Sequence, residues 1–185
     1  MRLRTTIRAG RRRLLTGGAV TAIVLTSVSA PAAAVEPGIL FGDELLEIQT
    51  HADKCFDVAG VSAEDRAPII QFGCDDESHQ RFRFRRLPGG GFRIETFAGK
   101  CLDVQHHSAE DGAPIIQYRC HSDPNQRFHL EPLSRGRVHI RTFSGKCLDV
   151  GGATLNDNAP IVQFRCWNNA NQRFRLVRPG SMFGI

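Results

Sequence analysis

The sequence predicts an all-β fold assembled from three copies of one 46-residue unit. Three observations predict it. The chain aligns with itself at a shift of 46 positions, without insertion or deletion between the shared marks. Beyond the leader, apolar residues alternate in short runs punctuated by Gly, Pro, Asn and Asp, and no stretch sustains a 3.6-residue period. Six cysteines fall two to a unit, 19 positions apart each time.

Residues 1–34 read as an export signal and stand outside the fold. Arg2, Arg4, Arg8, Arg11, Arg12 and Arg13 form a basic head with no acid. The stretch from Leu14 to Ser29 is apolar but too short, and too interrupted by Gly and Thr, for a stable membrane span. Ala32-Ala33-Ala34 offers the small residues a signal peptidase needs, which places cleavage after Ala34. Arg12-Arg13 before Leu14-Leu15 fits twin-arginine export, and Sec export fits equally. Residues 35–43 are then a short linker, 44–178 the folded domain and 179–185 a tail. A secreted, extracellular chain with no stable membrane anchor after cleavage is expected, and a monomer.

Removing the leader changes the charge argument. The whole chain carries 24 Lys+Arg against 19 Asp+Glu, but six of the arginines sit in the leader, leaving 18 against 19. A mature net charge near −1 gives no support for nucleic acid as a partner.

The repeat marks are specific. Lys-Cys-Phe-Asp-Val at 54–58 matches Lys-Cys-Leu-Asp-Val at 100–104 and 146–150. Ala-Pro-Ile recurs at 67–69, 113–115 and 159–161, and Gln-Arg-Phe closes each unit at 80–82, 126–128 and 172–174. In an exported chain such cysteines form disulfides, and the simplest pairing repeats with the unit: Cys55–Cys74, Cys101–Cys120 and Cys147–Cys166. A cyclic exchange between units is the other pairing that keeps the symmetry. Zinc is disfavoured, because the short Cys-x-x-Cys knuckle is missing.

Within the second unit, strands are expected over 92–97, 100–104, 114–118 and 127–130. Four strands in three units make twelve. A three-bladed propeller is too small and a sandwich does not explain a threefold period, so the expected architecture is a β-trefoil: a six-stranded barrel capped by three hairpins. Its core should gather matching positions: Ile48, Ile94 and Ile140; Val58, Val104 and Val150; Ile69, Ile115 and Ile161; Phe82, Phe128 and Phe174.

These residues resemble the ricin B-type lectin family, including bacterial family-13 carbohydrate-binding modules. The resemblance spans roughly residues 44–178 and rests on three features: Cys-Leu-Asp-Val, an aromatic two residues before each second cysteine, and Asn-Gln-x-aromatic, best seen at 125–128. The family usually ends that last motif in Trp; here it is Phe three times. The resemblance implies a trefoil with up to one shallow sugar pocket per unit. It places carbohydrate contacts at Asp103, Tyr118, His121, Asn125 and Gln126 in the second unit. The third supplies Asp149, Phe164, Asn171 and Gln172, with Trp167 nearby, and the first supplies Asp57, Phe72 and Gln80. His79 stands where the first unit needs Asn, which weakens that site. The second unit holds the fullest set. The chemistry is coherent: a carboxylate accepts from paired sugar hydroxyls, and a ring face stacks on sugar C–H groups.

Gln71, Gln117 and Gln163 directly precede the strand aromatics, so strand alternation points them away from the ring's pocket. His106-His107 lies over Gly60-Val61 and Gly152-Ala153 and reads as a solvated loop, with no metal site. Arg81 to Arg86 alternates with Phe82 and Phe84 as an amphipathic strand. No catalytic constellation and no cofactor motif stands out, so the expected protein is not an enzyme. Galactose-, xylose- or arabinose-type glycans are the implied partners, again by resemblance. The competing reading is a trefoil scaffold for protein interaction or protease inhibition with degenerate sugar sites.

Overall fold

A computed structural model describes residues 45–180. The export signal, the linker and most of the tail expected from the sequence lie outside the described residues. Among those described are twelve strands: β1 (Leu45–Gln49), β2 (Cys55–Val58), β3 (Ile69–Phe72), β4 (Phe82–Arg86), β5 (Phe92–Glu95), β6 (Cys101–Val104), β7 (Ile115–Tyr118), β8 (His129–Pro132), β9 (Val138–Arg141), β10 (Cys147–Val150), β11 (Ala159–Phe164) and β12 (Arg175–Val177).

Six of them close on themselves. β1 pairs with β4 at Leu46–Phe82, β4 with β5 at Phe84–Ile94, and β8 with β9 at Leu130–Ile140, all antiparallel. The seam between β5 and β8 is a single reciprocal pair, Phe92 N–H to Phe128 O at 2.7 Å and Phe128 N–H to Phe92 O at 2.8 Å. Val138 and Phe174 make the same pair between β9 and β12, and β12 returns to β1 at Ile48–Leu176. The strand expected over 127–130 starts later, at His129, because the Arg127 N–H is spent on Pro124 O in a tight turn.

The other six strands form three hairpins, β2–β3, β6–β7 and β10–β11. They too are joined in a ring: Pro68 pairs with Ile116, Pro114 with Val162, and Pro160 with Ile70. Barrel plus hairpin cap is the expected β-trefoil. All twelve expected core residues are fully buried, and Phe56, Leu102 and Leu148 join them. Phe56 fills the centre edge-on against Phe174 at 5.0 Å and Phe82 at 6.4 Å.

The six cysteines pair within units, as Cys55–Cys74, Cys101–Cys120 and Cys147–Cys166. A loop of this size adds about 3 kcal/mol per bridge in the chain-entropy account. Two further kinds of tie run between units. Gln117 Nε2 donates to Ser62 O and Glu64 O, both at 2.8 Å, and Gln163 does the same to Ser108 O and Glu110 O at 2.8 and 2.9 Å. Gln71 closes the cycle on Thr154 O and Asn156 O at 3.2 and 2.8 Å. Outside them, Lys100 pairs with Asp65, Lys146 with Asp111 and Lys54 with Asp157, at 2.6 to 2.7 Å. Lys146 holds the Asp111 carboxyl down at about 2, below the ordinary carboxylate range. Among the described residues no helix is long and apolar enough to cross a membrane.

Candidate functional site

Strand alternation builds the sites. In β2, β6 and β10 the second and fourth residues enter the core, so the cysteine and the aspartate share the opposite face. The disulfide covers the cysteine and anchors the loop that follows Cys74, Cys120 or Cys166. That leaves Asp57, Asp103 and Asp149 buried on that face, with Asp103 and Asp149 each lining a cavity.

A glutamine sets each aspartate. Gln80, Gln126 and Gln172 donate from Nε2 to Oδ2 of Asp57, Asp103 and Asp149 at 2.8 to 2.9 Å. Their second amide proton goes to Gly73 O, Arg119 O and Arg165 O, and their Oε1 accepts from the N–H of Asp75, His121 and Trp167. Both amide protons are used and the side chains are buried. These glutamines aim the carboxylate and pin the loop after the disulfide. Burial pushes all three carboxyls above the ordinary aspartate range; the glutamine bonds pull the other way and offset it only in part.

The surroundings of the three carboxylates then diverge. In the first, His79 Nε2 lies 3.2 Å from Asp57 Oδ2 and 3.4 Å from Asp75 Oδ2, so an imidazole occupies the place next to the carboxylate. Phe72 is exposed beside it. In the second, Asn125 donates to Val104 O at 3.3 Å while its buried Oδ1 has no partner. His121 Nε2 sits 3.3 Å from Asp103 Oδ2, and its ring meets Tyr118 edge-on at 6.2 Å. Arg119 donates to the Tyr118 hydroxyl at 3.0 Å and its guanidinium lies 5.2 Å from the ring centre. The second cavity holds about 180 Å³. In the third, Asn171 Nδ2 donates to Asp149 Oδ1 at 2.8 Å and to Val150 O at 3.2 Å. Phe164 and Trp167 pack at 5.2 Å, and Trp167 is 56% exposed. This cavity holds about 430 Å³.

Side-chain size explains the difference in volume. Gln105, His106 and His107 wall the second cavity, where Gly151, Gly152 and Ala153 wall the third. A neighbouring unit supplies one more wall residue: Arg66 in the second cavity and Gly112 in the third. Arg66 and Gly112 are wall residues that unit-by-unit reading of the sequence missed. Their signal was their place just before Ala-Pro-Ile, in the segment that touches the next unit.

The sequence profile of the family described as "Ricin-type beta-trefoil lectin domain" matches residues 44–174. No curated protein sequence matches the chain. Among solved structures, the designed threefold-symmetric protein ThreeFoil is 33% identical with a TM-score of 0.70, over 72% of this chain and 97% of that one. An exo-β-1,3-galactanase from Clostridium thermocellum is 27% identical with a TM-score of 0.71, over 73% of this chain but only 30% of the galactanase. A Macrolepiota procera ricin B-like lectin, solved with lactose, shares the fold at 17% identity and a TM-score of 0.65, over 75% of this chain and 97% of the lectin. The family match supports carbohydrate binding in general terms. With the profile matching most of the chain, and six strands closed as a barrel under three disulfide-bonded hairpins, the protein belongs to the ricin-type β-trefoil lectin domain family.

Proposed function

We propose that the protein is a secreted lectin that takes galactose-, xylose- or arabinose-type glycans in its second and third pockets and catalyses no reaction. One observation carries the reading: a buried carboxylate, aimed by a glutamine with no proton to spare, lies at the floor of an open pocket with an aromatic ring on its rim. Such a carboxylate accepts two sugar hydroxyls without reorganising, and the ring covers the sugar's C–H face. Secretion accords with the three disulfides and the leader-like first 34 residues.

The third pocket is the stronger of the two. Its cavity is larger, Asn171 is already turned onto Asp149, and no imidazole lines the cavity. Asp103, Tyr118, His121 and Asn125 form the second, more polar pocket. In the first unit His79 takes one of the hydrogen bonds a hydroxyl would make to Asp57, so that unit serves mainly as scaffold.

A glycan array, followed by titration of the best ligand, tests this. Asp149→Ala is expected to weaken binding about 10- to 100-fold, the range of one charge-assisted hydrogen bond, and Trp167→Ala to weaken it less. No retention of the disulfide-intact protein on any glycan would refute the proposal and favour an interaction scaffold instead.

A further inference from the structure

We propose that the second unit carries a site for one divalent cation of the zinc class, ligated by His107, His121 and Asp123. The proposal does not depend on the sugar reading, although His121 and His107 also border the second pocket. His107 Nε2 lies 3.7 Å from Asp123 Oδ2, and His121 Nδ1 lies 3.5 Å from the same oxygen. One ligand atom from each of the three residues falls within 4.8 Å of the others. Metal–ligand bonds near 2.0–2.1 Å in a tetrahedron put neighbouring ligand atoms about 3.3 Å apart. Two of the three spacings are therefore within a few tenths of an ångström already. The side chains of His107 and Asp123 are half exposed, free to close the rest.

The ring is oriented for ligation. His121 Nε2 faces the buried Asp103 Oδ2 at 3.3 Å, and a proton on Nε2 there leaves the Nδ1 lone pair toward Asp123. Nδ1 accepts only the Asp123 N–H, at 3.3 Å, a long bond that a cation readily replaces. A carboxylate behind a ligating imidazole is the arrangement that orients a metal-bound histidine and raises its basicity. The two imidazoles stack nearly parallel, 5° between planes and 6.0 Å between centres, so they present their nitrogens side by side. Two imidazoles and one carboxylate favour zinc, cobalt, nickel or copper over calcium or magnesium. A fourth position remains for water.

The set is particular to this unit. The matching positions are Val61, Asp75 and Glu77 in the first unit and Ala153, Trp167 and Asn169 in the third. Asp57, Asp75 and His79 bring together another three ligand atoms, but with a single nitrogen, which already faces both carboxylates.

Calorimetric titration of the disulfide-intact protein with zinc chloride tests the site. The expected result is one equivalent bound, weakened about tenfold or more by His107→Ala and by Asp123→Asn, and unchanged by His129→Ala. Calcium chloride should give no binding. His107→Ala is compatible with the fold, since Ala153 holds the same place at φ 50° against 52° for His107. Joint shifts of the His107 and His121 ring proton resonances on adding zinc provide a second reading. The proposal is overturned if zinc does not bind, if His107→Ala binds it as the parent does, if calcium binds equally, or if only His79→Ala removes the bound equivalent.

Discussion

Glu47 is a buried acid in the seam that closes the barrel, opposite Val177, and replacing it by glutamine should make stability less dependent on pH. Its Oε1 has no partner. Burial first, then contact with Asp76 and the charges of Asp76 and Asp75, push its carboxyl up to about 7, against a partial pull from Arg81. The sign follows from which state holds the proton. Below the ordinary carboxyl range near 4.5, folded and unfolded chains are both protonated and folding incurs no penalty at this residue. Between that range and about 7 the unfolded chain ionises first, so stability falls as pH rises. The full difference corresponds to about 3 kcal/mol, lost by about pH 8. In Glu47→Gln the loss is absent. The variant should match the parent within about 1 kcal/mol at pH 5 and exceed it by about 2–3 kcal/mol at pH 8, allowing for the amide's own burial. Urea unfolding followed by circular dichroism at both pH values, with disulfides intact, measures this. Taking parent and variant at the same pH cancels the other titrating groups. A stability difference that is equal at pH 5 and pH 8 would refute the reasoning.

Gln163→Leu should cost about 2–4 kcal/mol by denaturant unfolding, because it strips the donor from Ser108 O and Glu110 O and the acceptor from Ser144. Gln71→Leu should cost less, since Gln71 Oε1 has no partner to lose. His106→Gly should raise stability by about 1 kcal/mol, measured the same way, because His106 holds φ 58° where the matching residues are Gly60 and Gly152. Glycan affinity should fall on acidification at a higher pH than an ordinary aspartate would give, because burial favours the protonated forms of Asp103 and Asp149 and protonation removes the acceptor; titrations between pH 4 and 7 check it.

How much the sequence revealed depends on where each contact's partners lie. The cysteine pairs and the twelve core positions were legible, and the Asp and Gln of each unit could be singled out, because they recur at one spacing within a unit. The ties between units were not. Gln117 meets carbonyls 55 and 53 residues away, and the alternation of the strand said only that it points away from the ring. Arg66 and Gly112 enter pockets belonging to the next unit, so comparing units with one another hid them. His106-His107 read as solvated loop because its counterparts carry no ligand. Its proximity to His121 and Asp123 arises only when the loop folds against the turn that follows Cys120.

The glutamine and lysine ties have a topological consequence. Each unit grips the one before it, and the first grips the third, so the cycle has no natural beginning. β1 and β12, the first and last strands among the described residues, are neighbours in space. A chain rejoined there and cut in the turn between β8 and β9 would keep every one of these ties. Loss of any single unit, by contrast, would break two ties of each kind at once, which makes unfolding a property of the whole ring.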